Sequence, residues 1–140
     1  MNNINNQKLI YFYSPMGTWT RINKNLIHLG LDKNKKIGNT YARDFIWEVK
    51  NNTYKKKYKN IDVIYLDEFY DFEFDNEELF AKSYDVMKEL IESGKQIVMA
   101  GHNELDTFNL MPEEMKKNII SYDLIYGLDG EFDSSIKYLD

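Results

Sequence analysis

The feature that most constrains this fold is the alternation of short apolar runs with longer stretches of helical periodicity. Leu9–Tyr13 and Val63–Leu66 consist entirely of apolar and aromatic residues. Such runs are typical of parallel strands that are buried on both faces of a sheet. Three further strands are predicted from weaker or shorter runs, at Lys36–Thr40, Gln96–Ala100 and Leu124–Tyr126.

Helical periodicity fills the intervals between these strands. A helix is predicted over Thr20–Leu29, ended by Gly30, and another is predicted to begin at Asp75 as N-cap and to end at Gly94. Two shorter helices are predicted at Ala42–Lys50 and Glu113–Asn118. Strands that alternate with helices indicate βαβ crossovers, so we predict an α/β, three-layer architecture around a mostly parallel five-stranded sheet. Ligands of such sheets bind at the carboxyl ends of the strands.

Length and composition favour a single packed domain over residues 1–140. The chain has 140 residues, of which 43% are hydrophobic and 15% aromatic. The first seven residues, Met1–Gln7, are polar and Asn-rich, so we predict a disordered or polar N-terminus. The absence of cysteine excludes disulfides and thiol catalysis. No segment resembles a signal peptide or a membrane span, which predicts a cytoplasmic protein without membrane contact.

A turn after the first strand occupies the place of a phosphate-binding loop. The stretch Phe12–Asn25 reads FYSPMGTWTRINKN, and its spacing nearly fits the Walker A pattern G-x-x-x-x-G-K-[ST], but the lysine is missing. These residues alone leave two interpretations open. The turn is either a nucleotide site that has lost its catalytic function or an ordinary connection between a strand and a helix.

Two adjacent carboxylates end the strand that begins at Val63. Asp67 and Glu68 have the Walker B arrangement, in which the first acid orients Mg²⁺ and the second polarises the attacking water. A later strand ends in the polar residues His102 and Asn103, where a γ-phosphate sensor would lie. The alternative is that Asp67 and Glu68 are only the acidic end of a strand before a loop.

The second half of the chain resembles a known family. The stretches YKKKYKNIDVIYLDEFYDF and EELFAKSYDVMKELIESGKQIVMAG are similar to the ATPase (AAA+) domain of the bacterial replication initiator DnaA and its shorter relative Hda. The resemblance covers about residues 8–128 and is most specific over 54–101. It implies a P-loop NTPase core, a nucleotide site for ATP or ADP with Mg²⁺, and partners in DNA replication.

Carried over from that resemblance, the phosphate-binding loop departs from the family at three positions. Ser14 falls in the first glycine position and Gly17 matches a loop glycine. Trp19 replaces the glycine before the lysine, Thr20 occupies the lysine position, and Arg21 occupies the position of the Mg²⁺-binding Ser or Thr. Trp19 adds bulk where backbone N–H groups approach phosphate, and Thr20 lacks the charge that binds the β- and γ-phosphates.

The rest of the catalytic set is also altered relative to the resemblance. Ile119 stands at the arginine-finger position, and His102 stands at the sensor position with Asn103 beside it. The chain begins at the first strand and ends after the fifth, so we expect no helical lid and no DNA-binding domain. We therefore expect no ATPase activity and no bound cofactor. If any activity remains, Glu68 is the expected catalytic residue and Asp67 the metal ligand.

The sequence thus predicts a non-catalytic relative of DnaA and Hda that acts through protein contacts in replication initiation or its regulation. Expected partners are the initiator DnaA, the helicase or its loader, or a second copy of the chain. Tyr70, Phe72 and Phe74 suggest a contact patch for a partner. An equally good interpretation is that these three side chains pack as a small cluster beside the core.

Two alternative functions remain open. The first is a switch that binds ATP or ADP without hydrolysis. The second is an accessory factor that binds single-stranded DNA through the charges of Lys55, Lys56 and Lys57 and through stacking on Tyr54 and Tyr58. The simpler interpretation of this basic stretch is a solvated linker before the Walker B strand.

Overall fold

A six-stranded sheet organises the protein. The computed structural model describes residues 4–13, 30–126 and 132–138, the side chains through residue 122. The strands are β1 (Leu9–Tyr13), β2 (Ile37–Tyr41), β3 (Val63–Asp67), β4 (Gln96–Gly101), β5 (Ile120–Tyr126) and β6 (Phe132–Tyr138). Their order is β2-β3-β4-β1-β5-β6, in which β1 to β5 are parallel and β6 is antiparallel to β5. The five-stranded parallel sheet is confirmed, and β6 is an additional strand that the sequence did not predict.

The described helices lie between these strands. They are α1 (Ala42–Asn51), α2 (Tyr54–Lys57), α3 (Glu77–Glu92) and α4 (Glu113–Asn118), with 3-10 turns at Ile4–Asn6, Asp71–Glu73 and Leu105–Thr107. No helix follows α4 within the described residues, which agrees with the expected lack of lid helices. In the same part of the chain no helix has the length and hydropathy needed to cross a bilayer.

The alternation of side chains along the strands creates two apolar clusters, one on each face of the sheet. On β1, Leu9 and Tyr11 belong to one cluster and Ile10 and Phe12 to the other. The four described helices all contribute to the first cluster. Both faces of β1 are therefore buried, as its unbroken apolar sequence predicts. The helix predicted over Thr20–Leu29 lies outside the described residues.

The N-terminal segment, predicted to be disordered or polar, is described from residue 4, where it packs against the sheet. Ile4 and Gln7 are buried, and the Gln96 side-chain amide donates to the backbone carbonyl oxygens of both, at 2.7 and 2.6 Å. The Tyr122 hydroxyl donates to Gln7 Oε1 at 2.7 Å. The polar side chain of Gln7 is thus a hydrogen-bonding partner within the core, which the composition of the segment does not reveal.

The helix α3 begins one residue later than predicted. Its N-cap is Asn76, whose Oδ1 accepts the Leu79 N–H at 2.8 Å, and the prediction of Asp75 is therefore wrong. Asp75 instead pairs with Lys50 of α1 at 2.9 Å. Both residue types cap helices well, so residue type alone does not distinguish Asn76 from Asp75. The predicted end of the helix is confirmed, because Gly94 has a φ of +99°.

Candidate functional site at the carboxyl edge of the sheet

The carboxyl ends of three neighbouring strands, β1, β4 and β3, meet at one edge of the sheet. Tyr13 is paired with Gly101 in the register of β1 and β4. The loop after β3 is tied to β4 because the Phe69 N–H donates to the Ala100 carbonyl at 2.9 Å. The Tyr11 hydroxyl donates to the Asn103 carbonyl, so the loop after β4 is held against β1. Burial raises the pKa of the Tyr11 hydroxyl, which stays protonated as this donor.

Close approach of these loops requires a glycine at the end of β4. A Cβ atom on Gly101 would lie 2.6 Å from the Phe69 carbonyl oxygen and 2.6 Å from the Tyr11 hydroxyl. Any larger residue would push the loop after β3 away from the edge. Sequence reasoning recognised the polar strand end here but missed the role of Gly101, for which a glycine closing an apolar strand is the available signal.

The two Walker B-like carboxylates lie at this edge, as predicted. Asp67 is half-buried at the end of β3, and its Oδ1 accepts the Glu68 N–H at 2.9 Å. Burial raises the pKa of the Asp67 carboxyl, and the neighbouring Glu68 charge adds to the shift. Glu68 is exposed and has a φ of +51°, an uncommon conformation for a residue other than glycine. This geometry presents two carboxylates of different environment, which can hold a hydrated divalent cation.

The other predicted members of the nucleotide site are distributed unevenly. Ser14, Gly17, Thr20 and Arg21 lie outside the described residues, so the structure does not relate them to Asp67 and Glu68. Asn103 is brought to the edge with an exposed side chain, next to the loop after β3. Within the described part of the chain, no group of three or more His, Asp or Glu side chains forms a metal centre.

Ile119, which the resemblance places at the arginine-finger position, is a core residue. Ile119 is 1% exposed and belongs to the apolar cluster beneath the four described helices. It follows α4, whose first turn contains Glu113 and Glu114 and whose last turn contains Lys116 and Lys117. The Ile119 side chain thus faces the interior of its own domain.

An aromatic stack stands beside the carboxylates. The Tyr70 ring lies between two others, 5.1 Å from the Phe72 centroid and 6.0 Å from the His102 centroid, with interplanar angles of 10° and 17°. Phe72, at the end of this stack, is 74% exposed. Of the suggested patch, Phe74 is instead buried and stacked on Phe80 at 3.6 Å. The structure therefore divides the three aromatic residues between surface and core.

The loop that holds Phe72 is fixed by the carboxylate of Asp71. Asp71 accepts the backbone N–H groups of Asn109 and Leu110 at 3.0 and 2.9 Å, which joins the loop after β3 to the segment before α4. This bridging role of Asp71 was not predicted from the sequence. Because both carboxylate oxygens accept N–H groups, the stack is presented on an ordered loop.

The basic stretch is a packed helical turn, so its interpretation as a solvated linker is wrong. Tyr54 and Tyr58 are buried, and they cannot stack on nucleic-acid bases as proposed from the sequence. Their spacing of four residues places both on one face of α2, a signal that the charge of the stretch obscured. Tyr58 donates its hydroxyl to Glu48 of α1, with which Lys57 also pairs.

The three lysines of this stretch differ in their surroundings. Lys57 is held by the buried Glu48, and Lys55 lies 3.6 Å from Glu89. Lys56 is exposed. Only Lys55 and Lys56 are therefore placed to attract a polyanion, and Lys57 belongs to the packing between α1 and α2.

The solved structures that this chain resembles include replication initiators. Domain III of the Thermotoga maritima initiation protein DnaA matches with a TM-score of 0.60 and 15% identity, over 84% of this chain and 55% of that one. AMPPCP-bound DnaA from Aquifex aeolicus matches with a TM-score of 0.55 and 17% identity, over 86% and 42%. DnaA bound to AMPPCP and single-stranded DNA matches with a TM-score of 0.59 and 17% identity, over 89% and 42%.

Sequence comparisons find less. No family model matches the chain, and no curated protein matches it by sequence. The chain spans about half the length of the solved chains it resembles, between 42% and 55% for these three. At identities of 15–17% the likeness concerns the fold alone. On that ground the protein has the fold of domain III of the replication initiation protein DnaA.

Proposed function

We propose that the protein is a DnaA-like AAA+ domain that acts through protein–protein contacts in the initiation of DNA replication or its regulation, without hydrolysing ATP. The likeness of the fold to that of DnaA supports a role in DNA replication. A cytoplasmic location follows from that role and is part of the proposal. The candidate partners are the host's DnaA, its replicative helicase or helicase loader, and a second copy of this chain.

The observation that favours protein contact is the exposed aromatic stack formed by Phe72, Tyr70 and His102. A phenylalanine that is 74% exposed contributes nothing to the core, yet its loop is fixed by the carboxylate of Asp71. Ordered aromatic side chains lose little entropy on binding and are enriched in protein interfaces. The acidic neighbours Glu68 and Glu73 favour a partner surface with positive charge.

Absence of hydrolysis is proposed from two positions of the predicted catalytic set. Thr20 stands where the phosphate-binding lysine is expected, and the Ile119 side chain is buried within its own domain. Phosphoryl transfer depends on several charged groups acting together, so the loss of two of them removes most of the rate enhancement.

The test measures both parts of the proposal. Binding of the purified host DnaA, helicase and loader to the immobilised protein is measured for wild type, Phe72→Ala and Trp47→Ala. Trp47 is the control because it is an exposed aromatic side chain of α1 that is not part of the stack. We expect Phe72→Ala to weaken binding at least tenfold and Trp47→Ala to leave it unchanged. ATP hydrolysis that Glu68→Gln abolishes would overturn the non-catalytic assignment, and equal binding by both variants would overturn the contact surface.

A second candidate is a switch that binds ATP or ADP without turnover. The half-buried Asp67 and its exposed neighbour Glu68 support it, because they retain the arrangement of a Mg²⁺-binding strand end. Calorimetry with Mg-ATP and Mg-ADP tests this candidate. Micromolar binding that Asp67→Asn weakens supports the switch, and no heat of binding from either nucleotide excludes it.

A third candidate, binding of single-stranded DNA, depends on charge alone, because Tyr54 and Tyr58 are buried. One structural neighbour is a DnaA bound to single-stranded DNA. The exposed lysines Lys55 and Lys56 predict binding of a labelled oligothymidine that weakens steeply with salt and is lost in the double alanine variant. Binding that the double variant retains would exclude this surface.

A further inference from the structure

A cavity of about 370 Å³ opens at the carboxyl ends of β2 and β3, on the opposite side of β3 from β4. Its lining includes Asn39, Thr40, Tyr41, Asp44, Lys57 and Asp67. The aromatic stack lies on the loops after β3 and β4, whereas the cavity is lined by residues of β2 and β3 and shares Asp67 with the candidate site. Its volume lies within the range of small-ligand sites, from about 300 Å³ upward.

The charge of the cavity favours a cation. Among the described lining residues, the one ammonium group, on Lys57, is already paired with the carboxylate of Glu48, and Lys57 Nζ also lies 3.4 Å from Thr40 Oγ1. Glu48 is buried and also accepts the Tyr58 hydroxyl, so it holds Lys57 in place. The carboxylates of Asp44 and Asp67 therefore present a negative charge to a ligand in the cavity.

We propose that this cavity binds a guanidinium group. A guanidinium is planar, donates in pairs to carboxylates, and is less strongly hydrated than an ammonium, so it enters a half-buried site at lower cost. Asn39 adds a carboxamide oxygen as an acceptor beside the two carboxylates.

The aromatic wall of the cavity fits the same ligand. The ring of Tyr41 lines the cavity, and the guanidinium of Arg43 already lies over that ring, 5.0 Å from its centroid. This contact shows that the ring accepts a stacked guanidinium group within the protein itself.

Two sources can supply this group: a free small molecule, or an arginine side chain of a partner protein. Agmatine represents the first source and N-acetyl-arginine amide represents the second. The proposal does not depend on a role in replication, since binding is measured with the isolated protein. Putrescine, which has two ammonium groups, separates guanidinium recognition from general attraction of cations.

The experiment is isothermal titration of the full chain with the three compounds. We expect saturable one-to-one binding of agmatine or of N-acetyl-arginine amide, and the tighter of the two identifies the source. Putrescine is expected to bind at least tenfold more weakly. Asp44→Asn is expected to weaken binding at least tenfold, and Asp85→Asn, on the exposed side of α3 and outside the cavity, is expected to leave it unchanged.

Thermal unfolding checks that each variant is folded, and Asn39→Ala, at an exposed position of β2, replaces Asp44→Asn if that variant is not. The proposal is overturned if neither guanidinium compound binds saturably, if putrescine binds equally well, or if the folded cavity variant binds like wild type.

Discussion

Two oppositely charged segments of the molecule show that charge does not determine how a segment packs. The basic segment, residues 50–59, and the acidic segment, residues 67–78, both have the composition of a solvated surface. The basic segment nevertheless contributes Tyr54 and Tyr58 to the core, and the acidic segment contributes Phe69 and Phe74 but leaves Phe72 exposed. The apolar residues in each segment, and the elements next to them, decide which side chains are buried.

The difference has a local cause in each segment. In the basic segment, the four-residue spacing of Tyr54 and Tyr58 places both rings on the inner face of a helical turn. In the acidic segment, the 3-10 turn Asp71–Glu73 separates Phe72 from Phe74. Phe74 therefore packs on Phe80 while Phe72 stacks outward on Tyr70.

The largest expected effect sharpens the contrast within the acidic segment. Phe74→Ala should lower the free energy of unfolding by about 3–5 kcal/mol, because it leaves a cavity beside Phe80. Phe72→Ala should change it by less than about 0.5 kcal/mol, since that ring is mostly in water. Urea unfolding monitored by circular dichroism measures both values. Equal losses from the two variants would show that Phe72 is not a surface residue.

The next effect compares neighbouring lysines of the basic segment. Lys57→Met should cost about 1–3 kcal/mol, because it removes the cation paired with the buried Glu48. This is less than the loss of a fully buried partner, about 3–5 kcal/mol, since the Lys57 side chain is 45% exposed. Lys56→Met serves as the control and should change stability by less than about 0.5 kcal/mol. Indistinguishable urea midpoints for the two variants would contradict the packed interpretation of α2.

A smaller effect tests how the acidic segment begins α3. Asn76→Ala should cost about 1 kcal/mol, because the Leu79 N–H loses its side-chain acceptor. Asp75→Ala removes only an exposed ion pair with Lys50 and should cost ~0.3 kcal/mol. Thermal unfolding measures the loss of stability in each variant. A larger loss from Asp75→Ala than from Asn76→Ala would show that Asp75 is the N-cap.

The smallest effect concerns pH. Burial raises the pKa of Asp67 above its ordinary value of 3.8, so within the interval between the two values the folded protein binds more protons than the unfolded chain. The contribution of this group to stability therefore falls as the pH rises through that interval. The free energy of unfolding of the wild type, measured relative to that of Asp67→Asn, should therefore fall from acidic to neutral pH. Parallel profiles of unfolding free energy against pH would show that the Asp67 carboxyl is not affected by burial.

Much of the fold followed from local patterns. The buried strands at Leu9–Tyr13 and Gln96–Ala100, and the glycine that ends α3, were predicted because apolar runs and glycine have strong local effects on the backbone. The second of these strands extends one residue further in the structure, to Gly101. The strand β6 was not predicted, and β5 begins at Ile120 rather than at Leu124. Strand bounds depend on pairing with a neighbour, which a single stretch of sequence does not contain.

The candidate site was predictable only in part. Asp67 and Glu68 were identified because two carboxylates after an apolar strand form a local signal. Gly101 and Asp71 were missed, because their roles depend on contacts with Tyr11, Phe69, Asn109 and Leu110, which lie far away along the chain. The predicted phosphate-binding loop, from Ser14 to Arg21, stays a prediction because it lies outside the described residues.

The sequence by itself determined the α/β class, the parallel strands and the position of the paired carboxylates. These features depend on hydrophobic periodicity and on residue types that act over a few positions. Only the tertiary structure decided that Tyr58 is buried, that Phe72 is exposed and that Lys57 pairs with Glu48. The physical reason is that burial and ion pairing depend on which elements pack together, and hence on groups that the local sequence does not contain.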